Sequence, residues 1–320
     1  MRRPPSSALL GVILALSVPA ASAHAGRSQV GLGDEQSKMF ANPLWQQLHT
    51  TIVRYIAPYD AAVRRGSLAR ARAWIQAAEA QGQVIVVAFY HSQATPAKLP
   101  SVRVYQRDVR RFIALFPRVR AYQPWDEANR GSVPGRFTSP SPQAAASYYQ
   151  ALRRACPGCT VVGLDLLDQE KPSSTLQYIA QFRHEIARLH TVMPRLWGLH
   201  DYSDVNRLQT WRTREIGKAL GGSLWLTETG GVVQFGHAFR NRNGSGVSRA
   251  ARVIRFTLSL ISSDRQIKRA YIYDWTGGTN RARFDAGLTD SHGRPRPGYR
   301  VLCSYLLHNS DKCQVATSRH

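Results

Sequence analysis

Eight short runs rich in Val, Ile, Leu and aromatic residues recur along the chain, with helically patterned segments between them. The runs fall at 29–33, 51–55, 83–89, 118–122, 160–164, 195–199, 223–226 and 269–273. Most show little apolar/polar alternation, which is how a strand reads when both of its faces are covered. Between them, Leu68, Ala71, Ile75 and Ala78 share one helical face, and Gly82 is placed to stop that helix. Tyr105, Val109, Phe112, Ile113 and Phe116 make a second stripe. Ser141 followed by Pro142 is an N-cap with proline at the first helical position, opening a helix through Tyr148 and Leu152. Leu176, Ile179, Phe182, Ile186 and Leu189 form another stripe, and 247–261 and 297–308 supply the last two helices. The segment 207–220 carries the weakest helical pattern.

Strand–helix alternation predicts a parallel sheet, because a crossover helix returns the chain to begin the next strand in the same direction. Eight such units predict an α/β fold built as a single (β/α)8 TIM barrel. A doubly wound sheet is the alternative. It would place a phosphate-binding glycine loop after the first strand, but that turn reads Gly33-Asp34-Glu35-Gln36.

Arg2 and Arg3, an apolar run over 8–18 and the small-residue stretch Ala21-Ser22-Ala23 predict a secretory signal peptide, 1–25, cut after Ala23 or Ala25. The run is too short to span a bilayer. The remaining 26–320 is one barrel-sized domain. The expected location is therefore outside the cell or at the wall, as a monomer with no membrane span.

The four cysteines fit disulfides in an exported chain. Cys156 and Cys159 form Cys-Pro-Gly-Cys, but a helix precedes the pair and a strand follows, the reverse of a thioredoxin motif. Cys303 and Cys313 lack metal-ligand spacing. The net charge of +23 rests on 37 Arg and six Lys. It fits an acidic polysaccharide partner, or simply a GC-rich genome's codon usage. The arginines are scattered and no nucleic-acid module is present, so no nucleic-acid partner is expected.

Two glutamates carry the functional argument. Glu127 lies in Gln123-Pro124-Trp125-Asp126-Glu127-Ala128-Asn129, after the fourth run, and Glu228 in Leu226-Thr227-Glu228-Thr229-Gly230-Gly231, after the seventh. A carboxylate at the carboxyl end of a barrel strand sits where barrels keep their chemistry. Two of them are the minimal equipment for cleaving a glycosidic bond, one protonated to donate and one ionised to attack.

On these residues the chain resembles the clan A retaining glycoside hydrolases, which carry Trp-Asn-Glu-Pro-Asn after strand four and a glutamate before glycine-rich sequence after strand seven. The resemblance covers nearly the whole domain and is nearest the β-xylosidase/iduronidase-like branch with bacterial exopolysaccharide endoglycosidases. It implies Glu127 as acid/base and Glu228 as nucleophile, a carbohydrate substrate, and no metal or organic cofactor. It also implies sugar-site roles for Trp125, Asp126 and Asn129. Arg54 at the end of strand two would favour an anionic nucleophile. His200 and Tyr202 would sit beside the nucleophile after strand six. Trp275 would floor the subsite after strand eight. His91, Asp34 and Glu35 would line the mouth, with Asp165 and Asp168 as weaker rim candidates.

Asp126 departs from the family's asparagine: a carboxylate accepts but cannot donate as an amide does. A second negative charge there should raise the pKa of Glu127. The proline of the motif is Ala128 here, a local backbone change. Asp126 also keeps a second function open, a non-catalytic carbohydrate-binding barrel at the cell surface. A serine hydrolase is disfavoured, since no Gly-x-Ser-x-Gly elbow occurs.

Overall fold

The computed structural model describes residues 28–279, 282–309 and 311–313; the expected signal peptide lies outside them. The chain is a (β/α)8 barrel. In chain order the strands of its wall are β1 (Gln29–Gly33), β2 (Ile52–Pro58), β3 (Val84–Tyr90), β4 (Ala121–Gln123), β5 (Thr160–Val161), β6 (Asp165–Leu167), β7 (Leu196–His200) and β8 (Ser223–Thr229). The short β9 (Gln234–Phe235) lies outside the wall, β10 (Ile267–Tyr273) completes it, and β11 (Phe284–Asp285) pairs with β9. The wall runs β5-β4-β3-β2-β1-β10-β8-β7-β6, every pair parallel.

The barrel closes through one divided stave. β5 pairs with β4, and β6 pairs with β7. Between them the Val162 N–H donates to Tyr122 O and the Gly163 N–H to Leu196 O. The expected fifth strand is therefore present as two short ladders that change partner midway.

The helices α1 (Pro43–Gln47), α2 (Arg65–Ala80), α3 (Val102–Leu115), α4 (Pro142–Ala155), α5 (Pro172–Arg188), α6 (Tyr202–Val205), α7 (Trp211–Leu220), α8 (Ser245–Ser263) and α9 (Pro297–Leu307) wrap the outside. Local rules account for their ends. The Ser141 side chain accepts from the Ala144 N–H at the start of α4, with Pro142 behind it. Gly82 stands at φ +67° just past α2, where a side chain would be strained. Cys156–Cys159 joins the end of α4 to β5, and Cys303–Cys313 ties α9 to the turn after it. No helix among the described residues is long and apolar enough to cross a membrane.

Two cores result. Outward strand residues such as Val53, Val87 and Leu199 pack with the apolar helix faces. Inside the wall, Ile52, Val86, Ala121, Val162, Trp225 and Tyr271 fill a separate apolar layer. That layer plugs the barrel from below and leaves the carboxyl ends of the strands as the floor of the mouth.

Candidate active site

Two residues further along the strands, the same inward direction repeats, but the side chains are polar. Ile52 gives way to Arg54, Ala121 to Gln123 and Trp225 to Thr227, with Asp165 from β6 beside them. Gly198 on β7 makes room for this layer. A Cβ there would lie 2.5 Å from Asp165 Oδ1 and 2.9 Å from Thr227 Oγ1.

Arg54 is 1% exposed and organises the layer. Its Nε donates to Gln123 Oε1 at 2.6 Å and its Nη1 to Glu228 Oε1 at 2.7 Å. Its Nη2 donates to Asp126 Oδ1 at 2.5 Å and Asp165 Oδ2 at 2.8 Å. A planar fork with five donors suits this multiple pairing as an ammonium does not.

His200, fully buried at the end of β7, links the two glutamates. Its Nδ1 lies 3.2 Å from Glu127 Oε1 and 3.6 Å from Glu228 Oε2; its Nε2 lies 3.3 Å from Asp165 Oδ2. The gap between the nearest oxygens of Glu127 and Glu228 is thus at most the sum of two contacts, about 6.8 Å. A retaining pair needs roughly 5–5.5 Å between carboxyl groups. Tyr202 donates its hydroxyl to Glu228 Oε2 at 3.3 Å.

Two backbone irregularities turn neighbouring side chains toward the same point. β8 slips against β7, pairing Leu199 with Leu226 but His200 with Glu228. The bulge lets Thr227 and Glu228 both face inward, although successive strand residues ordinarily alternate. In the β4 loop Glu127 adopts φ +48°, the left-handed region costly for a non-glycine residue. That turn brings Asp126 and Glu127 to the cluster together.

Charge states follow from these contacts. Burial disfavours a charged His200, but the charges of Glu228 and Asp165 and hydrogen bonds to Asp165 and Glu127 outweigh it, keeping the imidazole protonated well above its usual range. Burial also opposes ionisation of Asp165, yet His200 and Arg54 hold it down to about 2. Burial pushes Asp126 up to about 8; Arg54 opposes this and Glu228 adds to it. Glu35, exposed at the outer rim, accepts from the Tyr273 hydroxyl at 2.9 Å.

Glu127 departs from expectation. Burial pushes it up, but the His200 hydrogen bond and charge and the Arg130 guanidinium, 2.8 Å from Oε2, hold it below the ordinary carboxylate range. The sequence argument for a raised pKa weighed only Asp126 and missed His200 and Arg130, which outweigh burial. Replacing Arg130 with Met should therefore raise the Glu127 pKa. If Glu127 must be protonated to donate, the alkaline limb of kcat/KM moves to higher pH. A pH–rate profile checks this; an unmoved limb would leave Glu127 without the donor role.

Not every expected residue reaches the cluster. Trp125 is 1% exposed and stacks on Tyr148 of α4, ring centroids 5.4 Å apart. Trp275 is equally buried and meets Tyr299 of α9 edge-on. Both indoles therefore pack the outer core instead of presenting a face to a sugar. Asn129 donates to Leu167 O and Thr175 Oγ1 and accepts from the Leu167 N–H, bracing the β4 loop against β6 and α5. His91 is half-buried beside Tyr90, with Nδ1 near Ser92 O and no contact to the glutamates. Asp168 accepts from the Ser203 and Asp204 N–H groups, and Asp34 from those of Gln36 and Thr276, both structural tasks. Gln123 and Arg130 belong to the site and went unanticipated. The only sequence signal for Arg130 is its place three residues after Glu127.

Asp126, His200 and Glu228 offer ligand atoms within 4.8 Å of one another, a spacing compatible with a metal ion. Arg54 already bonds to both of those carboxylates, so its guanidinium fills the place of a cation.

The barrel has many solved counterparts. A psychrophilic glycoside hydrolase family 10 endo-β-1,4-xylanase superposes with a TM-score of 0.63 at 11% identity, over 87% of this chain and 96% of that one. A GH5_18 protein from Streptomyces cattleya, crystallised with GlcNAc, gives 0.62 at 14% identity, over 88% and 80%. A family 39 glycoside hydrolase from Bacteroides cellulosilyticus gives 0.55 at 14%, over 88% and 64%. The likeness is one of fold. No family model and no curated protein sequence matches the chain.

Proposed function

We propose that this protein is an exported retaining glycoside hydrolase, with Glu228 as nucleophile and Glu127 as acid/base. The observation that carries the reading is that a single nitrogen of His200 touches both carboxylates, so both serve one small space at the barrel mouth. Glycosidase structures among the fold's counterparts agree with it. In the first step a Glu228 oxygen bonds to the anomeric carbon as the bond to the leaving oxygen breaks, and Glu127 gives that oxygen a proton. In the second, Glu127 takes a proton from water, the water oxygen bonds to the anomeric carbon, and the Glu228 ester breaks. Arg54 and Tyr202 hold Glu228 in the attacking orientation. Cys156–Cys159 and Cys303–Cys313 suit an oxidising compartment. The arginine-rich exterior supports attraction to an acidic polymer at long range.

One observation favours a non-catalytic carbohydrate-binding barrel instead: His200 and Arg130 hold Glu127 in its ionised form, unhelpful for an acid. Incubation with 2-fluoro glycosides bearing activated leaving groups separates the two. A covalent sugar on Glu228, located by peptide mass spectrometry, is the expected result. Saturable sugar binding with no label would leave the binder.

A further inference from the structure

Glu127 has a neighbour that the bond-cleaving steps do not use. Two cations touch its carboxylate among the described residues, one on each oxygen. His200 holds Oε1 from the buried side, where it also meets Glu228. Arg130 holds Oε2 from the open side, with its own side chain 41% exposed. The β4 loop presents it there. The Arg130 N–H closes a turn on Glu127 O at 3.0 Å, and a bridge between Val133 and Phe137 folds the loop back. Arg130 Cζ then stands 4.4 Å from the centroid of the Phe137 ring. Tyr90 of β3, half-buried beside His91, accepts from Arg130 Nη1 at 3.4 Å.

This rim lies where the departing sugar would pass. A ring whose anomeric carbon faces Glu228 has its leaving oxygen on Glu127. The sugar bearing that oxygen therefore extends past Glu127, away from Glu228 and toward Arg130. Nη1 of Arg130 is taken by Glu127 and Tyr90, while Nε and Nη2 have no hydrogen-bond partner among the described residues. Those two nitrogens share one edge of the planar guanidinium, and such an edge fits a carboxylate through two parallel bonds. The stack on Phe137 fixes the plane. The inner carboxylates do not oppose an anion here. Arg54 and His200 pair with Asp126, Asp165 and Glu228, and the chain as a whole carries +23.

Resting on the glycosidase reading, we propose that Arg130 binds the carboxylate of a uronic acid residue on the leaving-group side of the cleaved bond. The substrate is then an acidic oligo- or polysaccharide. The contact also serves proton transfer. Burial favours a protonated Glu127; the hydrogen bond and charge of His200, and then Arg130, keep it ionised. Asp126, Asp165, Glu228, Tyr90 and Tyr202 complete its surroundings. Of all these groups Arg130 alone is exposed, so it alone can change partner when substrate arrives. A carboxylate on Nε and Nη2 sets a negative charge against the guanidinium and weakens its hold on Glu127. Glu127 then takes up the proton it is to donate.

The test uses the full chain trapped on Glu228 by a 2-fluoro glycoside, which fills the cleavage subsite and leaves the leaving-group subsite open. Reactivation by sugar transfer is timed with methyl β-glucuronoside and with methyl β-glucoside as acceptors. The uronate should react at least about tenfold faster at equal concentration. In Arg130→Met the ratio of the two rates should fall by at least about tenfold, whatever the absolute rates. Arg130→Lys, which keeps the charge and loses the planar edge, should recover only part of the ratio. NMR titration of the trapped enzyme adds a readout without turnover: methyl β-glucuronoside should bind more tightly than the glucoside, and Arg130→Met should remove the difference. Equal rates with both acceptors, or a ratio unchanged in Arg130→Met, would overturn the proposal, while the label on Glu228 would leave the glycosidase reading standing. Absence of any label would end both, since the rim would then have no leaving group to hold.

Discussion

Replacing Glu228 with Gln should lower kcat on an activated aryl glycoside by on the order of 10⁴- to 10⁶-fold, the scale seen when a covalent nucleophile is removed. The amide keeps an acceptor oxygen for Arg54, while its nitrogen replaces the oxygen that accepts from Tyr202, so folding and sugar binding should survive. The glycosyl ester cannot form, and the residual rate reports what orientation alone achieves. Glu228→Ala with added azide provides the complementary measurement. Azide entering the vacated space should yield a glycosyl azide of inverted configuration, detected by NMR. A Glu228→Gln rate within about tenfold of wild type, with intact circular dichroism, would remove Glu228 from the chemistry.

Replacing Arg54 with Met should cost about 3–5 kcal/mol of stability, the penalty for stripping one partner from buried ion pairs. Three carboxylates, Asp126, Asp165 and Glu228, lose the same guanidinium at once. The thermal midpoint at neutral pH should drop by roughly 5–15 °C. The pH dependence separates this cause from a simple packing loss. Without Arg54, Asp165 no longer titrates at the about 2 it shows in the intact cluster, and Asp126 rises further. Acids whose folded pKa exceeds the unfolded one bind extra protons in the folded state. Their contribution is then favourable at low pH and is lost as pH rises through the folded pKa. The deficit of Arg54→Met against wild type should therefore shrink toward pH 4 and widen toward pH 8. Arg54→Lys should recover little, since one ammonium cannot span four acceptors. Urea or thermal melts across that range decide it; a deficit constant with pH would point to lost volume instead.

Much of the architecture was legible along the chain. Buried parallel strands have no polar face, so all eight runs stood out, and β1 spans the expected residues. Helix starts at Ser141-Pro142 and the stop at Gly82 rest on local backbone geometry, which short windows carry. Edges were less clear. β2 runs on to Pro58 and β8 to Thr229, because hydrogen bonding to neighbours extends a strand beyond its apolar stretch. Arg54, Glu127, Glu228, His200 and Tyr202 were visible as polar residues at strand ends. Trp125 and Trp275 were not assignable, since an indole serves a sugar platform or an outer core equally well and only neighbours such as Tyr148 and Tyr299 decide.

The residues by themselves determined the barrel and the placing of two glutamates near its carboxyl rim, because hydrophobic pattern and strand-end position are properties of the linear chain. Folding in three dimensions decided which way those glutamates face and what charge one of them carries. Strict alternation would not turn both Thr227 and Glu228 inward; the slip between β7 and β8 does. An extended loop would separate Asp126 from Glu127; the left-handed turn at Glu127 unites them. The acidity of Glu127 was misjudged from its neighbour in sequence because electrostatic energy depends on distance through space. Its closest charges come from β7 and from one helical turn further along the loop.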